Sequence, residues 1–316
     1  MSKGILNQNI INKIISLYNH VFEKNLDINY WNWRFGKNPF GELIIRFLLE
    51  NNEIASSYIV HPFNIELNNK IESGLFSMWT VTSPMFQKKG LSTFLANEVY
   101  KIENGKFVIG FTNENSHYMF VKKLGFKSLG IMKEMVLDLP TEIIKNNSIK
   151  CEKIKIFDEE FSKFYNKQKK IIKKIMTPRT EKYLNWRFIK NPEVKYHCYR
   201  LIKDDKLLGY FILKNYQNKK CHIIDFLLEN DSSVYVEMIY NTINFCKKNN
   251  LTKITLWTNG LESFYSQIIK MGFKEIPMEN NFVVKYLTDK NYKYYHFNSG
   301  WQGGTDLNAF ATQEIN

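Results

Sequence analysis

The sequence predicts an α/β protein with mixed sheets, built as two tandem domains of one plan. Three observations carry that prediction. The segment Tyr30-Trp31-Asn32-Trp33-Arg34-Phe35-Gly36-Lys37-Asn38-Pro39 returns as Tyr183-Leu184-Asn185-Trp186-Arg187-Phe188-Ile189-Lys190-Asn191-Pro192, with eight identities at an offset of 153 residues. A second echo, Leu124-Gly125-Phe126-Lys127 against Met271-Gly272-Phe273-Lys274, comes at an offset of 147, so each repeat is of domain size. The hydropathy pattern runs in the same order in both halves, helix, strands, helix, strand, helix, strand, which describes mixed α/β domains. The 316 residues suit two domains at roughly 100–200 residues each.

Each half opens with a helical stretch, Asn9–Phe22 or Glu159–Ile175, followed by the aromatic segment. Strand patterns follow at Glu42–Leu49, Ile54–Pro62, Phe63–Asn68 and Leu75–Thr82, and in the second half at Tyr196–Lys203, Leu207–Lys214 and His222–Leu227. A helix comes next, Leu91–Ile102 or Val234–Lys248, and then a strand, Lys106–Phe111 or Lys253–Trp257. A further helix stops at the glycine of Leu124-Gly125-Phe126 or Met271-Gly272-Phe273. Met132–Leu137 or Phe282–Tyr286 closes each unit, and the second half has an additional opening strand at Ile149–Phe157. The polar stretch Pro140–Asn147 is the join, which places the domains at 1–142 and 148–290 and leaves a tail over 291–316.

Composition is that of a folded soluble chain, 44% hydrophobic and 24% charged. Stretches such as Leu43–Leu49 fall far short of the ~20 apolar residues a membrane helix needs, and the amino terminus lacks a secretory pattern. No membrane association and a cytoplasmic location are the expectations. Cys151, Cys198, Cys221 and Cys246 form no C-x-x-C pair, which argues for buried thiols over disulfides or zinc. The pairs His197-Cys198 and Cys221-His222 lack metal-ligand spacing, so no metal is expected. The net charge of +13 favours an anionic ligand, discounted by a general enrichment in Lys, Asn and Ile. The densest basic run, with Lys169, Lys170, Lys173 and Lys174 opposite Ile171, Ile172 and Ile175, reads as a solvated amphipathic face. It has no interleaved aromatics, so nucleic acid is not an expected partner.

One segment carries chemistry. After the strand ending at Thr82 comes Ser83-Pro84-Met85-Phe86-Gln87-Lys88-Lys89-Gly90-Leu91-Ser92-Thr93, which runs directly into a helix. Gly90 and the small Ser92 permit a tight turn whose backbone N–H groups sit at a helix N-terminus, where the macrodipole favours an anion. Lys88 and Lys89 add positive charge at its rim. The turn resembles the phosphate-binding signature Q/R-x-x-G-x-G/A of the GNAT superfamily of acyl-CoA-dependent N-acyltransferases, with Gln87-Lys88-Lys89-Gly90-Leu91-Ser92 departing only at Ser92. The order of elements over about residues 42–137 resembles the same family, so the chain is read as two tandem GNAT-like domains. The resemblance implies acetyl-CoA, or another short acyl-CoA, as co-substrate. Its pantetheine arm would lie along the backbone of Val81 and Thr82, with Asn115 in the polar loop on the other side of the cofactor.

Many members carry a tyrosine general acid four residues before the Gly of the Gly-Phe pair. Here that position is Val121, and Tyr118, one turn earlier, is the substitute by i, i+3 geometry, against the alternative that it only packs. His61 is the leading base for deprotonating an amine, with Glu72, Glu114 and His117 as alternatives and a bystander role open for each. The second half reads Leu228-Glu229-Asn230-Asp231-Ser232-Ser233 where the phosphate turn would be, with two carboxylates and no glycine. That half is a degenerate copy without cofactor binding. The aromatic segment occurs in both copies and so reads as structural, with Trp33 and Trp186 as core anchors and Arg34 and Arg187 in internal hydrogen bonds.

The expected activity is N-acyl, most simply N-acetyl, transfer to a primary amine of a small molecule, with a nucleotide-linked amino sugar for surface glycan as the first guess. An aminoacyl transferase of the peptidoglycan-bridge type and a non-catalytic CoA- or partner-binding module stay open. The acceptor is the one partner expected, and oligomeric state is not determined by sequence.

Overall fold

A computed structural model describes residues 4–67, 70–102, 105–141, 143–144, 148–172, 177–216, 218–258 and 264–287. The tail expected over 291–316, the residues Lys173, Lys174 and Ile175 of the basic run, Asn68, and positions 142 and 145–147 of the join lie outside the described residues. The chain forms two compact units, one drawn from 1–65, 71–130 and 280–292, the other from 66–70 and 131–279. Among the described residues no helix is long and apolar enough to cross a membrane.

The first unit begins with α1 (Gln8–Phe22), capped where the Asn7 side chain accepts from the Ile10 N–H. Its Ile10, Ile14 and Tyr18 share one buried face. The short α2 (Ile28–Trp31) is capped by Asp27 and continues into a π-helical turn, Asn32–Gly36. Strands β1 (Ile44–Glu50) and β2 (Glu53–Leu67) form an antiparallel hairpin whose two loop residues, Asn51 and Asn52, both have positive φ. That is the turn chemistry of a two-residue hairpin, for which Asn is well suited. Next come β3 (Lys70–Thr82), α3 (Leu91–Ile102), β4 (Phe107–Thr112), and α4 (Glu114–Tyr118), which runs into the π-helical turn Met119–Lys123. The core on the α3 side gathers Ala55, Tyr58, Val60, Leu75, Leu95, Val99, Val108 and Phe120.

The second unit contains β5 (Lys127–Asp138), β6 (Lys150–Lys153), α5 (Glu159–Ile172), α6 (Glu181–Leu184) with its π-helical turn Asn185–Ile189, β7 (His197–Lys203) and β8 (Lys206–Tyr216). It continues through β9 (Lys220–Leu228), α7 (Ser232–Lys248), β10 (Lys253–Thr258) and α8 (Tyr265–Lys270), and the chain then enters β11 (Lys274–Tyr286), whose residues from 280 onward belong to the first unit. The β7–β8 hairpin turns at Asp204 and Asp205, again both at positive φ. The repeated aromatic segment thus has one geometry in both copies. A side-chain N-cap (Asp27, Thr180) precedes one α-turn and one π-turn, and Trp33, Trp186, Arg34 and Arg187 are buried.

The sheet of the first unit has the order β1-β2-β3-β4-β11, with β3 and β4 parallel and β11 antiparallel to β4 from Asn281↔Thr112 to Tyr286↔Phe107. That of the second unit has the order β5-β10-β9-β8-β7-β6, with β10 antiparallel to β5 and parallel to β9. Each unit therefore takes a closing strand from the other half of the sequence. One further difference concerns Pro62. The pattern predicts separate strands at Ile54–Pro62 and Phe63–Asn68, yet β2 runs through the proline. The β1 ladder ends at Ile44↔Val60, so the missing Pro62 N–H forfeits no bond on that side.

Candidate functional site

The site is built from the end of β3, the turn after it, and the start of α3. Parallel pairing of β3 with β4 is confined to Leu75↔Val108 and Phe76↔Ile109. Beyond Phe76, Trp79 takes φ +54, a backbone state rare for an aromatic residue, which bends the strand out of regular pleating. An aromatic cluster holds it there. The Trp79 ring stacks on Tyr18 at 4.1 Å, lies 5.9 Å from Tyr30, and meets Phe35 edge-on at 5.3 Å. Burial pushes the Tyr18 phenol up from its ordinary pKa, with Tyr30 adding to the effect and Arg34 opposing it. The repeated aromatic segment thus fixes the bend at which β3 parts from β4.

From that point to Thr82, β3 is tied on its other side to β2. The Ser83 N–H donates to the Ala55 carbonyl, and the Ser56 hydroxyl to the Val81 carbonyl. The Thr82 hydroxyl lies 2.8 Å from the hydroxyl of Ser56 and 2.8 Å from that of Ser92. The turn follows as one 3-10 turn, Pro84–Phe86, then Gln87, whose side-chain amide donates to the Thr82 carbonyl. Lys88 (φ +62) and Gly90 (φ +74) both occupy the left-handed region. A Cβ on Gly90 would meet nothing within 4 Å, so conformation, not space, requires glycine there. Lys89 extends over the Phe86 ring at 5.0 Å, and α3 begins at Leu91. The arrangement presents helix N-terminal N–H groups beside two lysines, suited to a phosphate anion.

The other expected residues are placed as follows. His61 is buried in β2, its Nδ1 3.0 Å from the Asn38 side-chain nitrogen and 2.9 Å from the Pro62 carbonyl, with its ring 5.5 Å from that of Phe76. It lies inside the long strand, not at a strand end. Tyr118 is 62% exposed, with the Lys123 ammonium 5.8 Å from its ring centroid. Asn115 is exposed in the first turn of α4. Glu72 pairs with Lys106, and His117 Nδ1 lies 2.9 Å from the Thr112 hydroxyl. Sequence reasoning missed Ser56, Tyr58, Ser77 and Tyr100, whose hydroxyls find their partners only through strand register and the packing of α3 on the sheet. The Tyr58 hydroxyl is 2.7 Å from that of Ser77 and hydrogen-bonds that of Tyr100. A separate cavity of about 420 Å³ opens among Leu6, Ile45, Phe47, Leu95 and Glu98, and no residue of the turn lines it.

The corresponding turn of the second unit is built differently. The Asp231 carboxylate caps α7 by accepting from the Ser233 N–H, and Glu229 pairs with Lys167 and Lys206. Negative side chains thus stand where a phosphate would approach. The four cysteines are unbridged, three buried and Cys151 half-buried. His222 lies opposite Lys214, and Cys198 opposite Ile212, so the two His-Cys pairs do not face one another. Among the described residues no group of three or more His, Cys, Asp or Glu is placed to hold a metal ion.

No family model and no curated protein matches the sequence. Solved structures do match the fold. A GCN5-related N-acetyltransferase from Anabaena variabilis is similar over 91% of this chain and 73% of its own, with TM-score 0.71 at 11% identity. A probable N-acyltransferase from Enterococcus faecalis covers 90% of this chain and 72% of its own, with TM-score 0.69 at 8% identity. The N-myristoyltransferase of Saccharomyces cerevisiae, solved with myristoyl-CoA and inhibitors, covers 89% of this chain and 78% of its own, with TM-score 0.60 at 12% identity. The fold is that of the GCN5-related N-acyltransferases.

Proposed function

We propose that the protein is an acyl-CoA-dependent N-acyltransferase whose active half is the first unit. The observation that carries this reading is the turn at the N-terminus of α3, with Gly90 and Lys88 at positive φ, at the end of the stretch of β3 that has already left β4. The pyrophosphate binds the N–H groups of that turn, with Lys88 and Lys89 at its rim. The pantetheine arm lies along Val81 and Thr82, in the gap the short β3–β4 ladder leaves open. A primary amine attacks the thioester carbon, the N–C bond forms, the C–S bond breaks, and β3 backbone N–H groups stabilise the oxyanion. His61 takes the proton the amine gives up. Asn115 faces the cofactor from the first turn of α4. A proton from Tyr118, which stands exposed, reaches the leaving sulfur through solvent. The acceptor is a small primary amine, with amino sugars, nucleotide-linked ones included, first in the panel. The donor is a short acyl-CoA, acetyl-CoA first.

The test is calorimetry with acetyl-CoA on the wild type and on Gly90→Glu, followed by thiol release across an amine panel with acyl chains from acetyl to myristoyl. We expect one acyl-CoA per chain, binding abolished in Gly90→Glu, and kcat reduced on the order of 10²-fold or more in His61→Gln with KM for acyl-CoA unchanged. No binding by the wild type rejects the reading. Binding without thiol release for any amine leaves a CoA-binding module.

A further inference from the structure

Three hydroxyls run through the first unit from α3 to the point where β3 and β4 part. Tyr100, half-buried on α3, hydrogen-bonds the fully buried Tyr58 of β2, whose hydroxyl lies 2.7 Å from that of Ser77 on β3. Ser77 is the residue immediately after the last β3–β4 pair, Phe76↔Ile109. Opposite it, β4 carries Gly110. A Cβ built on Gly110 would stand 3.8 Å from Ser77 Cβ, 3.5 Å from the Phe120 ring and 3.7 Å from Val283. The absent side chain leaves room for about one atom beside Ser77.

Chain lengths place the reacting sulfur near this spot. The arm of CoA from pyrophosphate to sulfur has about thirteen bonds and, at the ~1.2 Å advance per bond of an extended chain, reaches roughly 16 Å. From Thr82, which touches Ser92 at the turn, back to Ser77 is five residues, at most about 17 Å at ~3.3 Å each and shorter for the bend at Trp79, within reach of the arm. We propose that Ser77 donates a hydrogen bond to the CoA sulfur as the thioester breaks, with Tyr58 and Tyr100 as positioning residues that polarise it. This rests on the reading that acyl-CoA occupies the gap.

One direction of donation satisfies the whole chain, Tyr100 to Tyr58, Tyr58 to Ser77, and Ser77 to sulfur. Burial pushes the Tyr58 phenol up to about 12, its bonds to Ser77 and Tyr100 opposing, and it holds Tyr100 well above the ordinary value. The chain therefore stays protonated and donates without ionising. In the reaction the C–S electron pair passes to sulfur, which leaves as a thiolate, while the proton lost by the amine goes to the base. A donor aimed at developing charge is an effective form of stabilisation.

The test uses free CoA as the probe on the full chain and follows the ultraviolet absorbance of the bound thiolate against pH. In the wild type the bound thiol titrates at lower pH than CoA in solution. In Ser77→Ala and in Tyr58→Phe it titrates about one pH unit higher than in the wild type, a tenfold loss of thiolate preference, and Ser77→Thr restores it. The same thiol titration in the wild type and both variants overturns the inference while leaving acyl-CoA binding intact. Absence of CoA binding to the wild type overturns both. Tyr58→Phe removes a single oxygen and keeps the ring, so it reads out the chain even if Ser77→Ala fails to fold.

Discussion

The hydroxyls of Thr82 and Ser92, 2.8 Å apart, join the last residue of β3 to the first turn of α3. The contact fixes the strand end against the helix start, and the turn proposed to hold the pyrophosphate is stretched between them. Ser92→Ala removes the Thr82–Ser92 hydrogen bond, worth about 1 kcal/mol, and Thr82→Val removes it together with the bond to Ser56. We expect acyl-CoA affinity to fall roughly five- to tenfold in each, and calorimetry reads it. Gln87→Ala, which removes only an exposed amide 3.4 Å from the Thr82 carbonyl, changes it less than about twofold. Equal losses at all three positions would count against the Thr82–Ser92 contact as the organiser of the turn.

A second expectation concerns the interior of the second unit, where Arg179 and Asp225 are both buried. They pair at 2.9 Å, the Tyr210 hydroxyl donates to the second carboxylate oxygen at 3.0 Å, and Arg179 also donates to the Thr177 carbonyl at 2.7 Å. Asp225→Ala strands a buried guanidinium and costs about 3–5 kcal/mol, whereas the apolar double replacement Arg179→Met with Asp225→Leu recovers most of it. Chemical denaturation of the full chain measures both. A single variant as stable as the wild type contradicts the pair's role.

We expect His222 to make stability acid-sensitive. It is buried in β9, with Nδ1 2.6 Å from the Thr255 hydroxyl, and its pKa is held well below the ordinary histidine value, first by burial and then by Lys220 and Lys214. The folded chain keeps it neutral while the unfolded chain protonates near its ordinary value of about 6.5. This contribution to stability is complete above about pH 6.5 and falls as pH drops toward the folded-state value, by at most ~1.4 kcal/mol per unit. His222→Gln flattens that part of the stability curve between about pH 6.5 and 5. An unchanged slope assigns the sensitivity to another group.

The repeat was legible because it is written in identities, and the structure shows why they coincide. Each copy needs a cap, an α-turn, a π-turn, a buried Trp and a buried Arg in one short space. The tight turn before α3 was legible because Gly90, at φ +74, occupies a backbone region that favours glycine. Register is a different matter. Nothing in the spacing of Tyr58, Ser77 and Tyr100 announces that their hydroxyls meet, since the tyrosines number 18 and a one-residue slip would turn each strand residue to the other face. The continuation of β2 through Pro62 depends on where β1 ends. The identity of each closing strand's neighbour is hidden for a similar reason. Val283, Val284, Val136 and Leu137 offer equally apolar faces, and pattern alone does not choose between β4 and β10.

That choice bears on synthesis. Thr112 of β4 and its partner Asn281 are 169 residues apart in the chain. At roughly 5–20 residues per second, a ribosome needs about 10–30 s to deliver the second after the first. Throughout that interval the nascent first unit holds β4 with one edge unpaired, a template for intermolecular pairing. The amino-terminal half therefore does not finish folding as it emerges. Its sheet is complete only once β11 has been synthesised, a non-local pairing of the kind that slows folding.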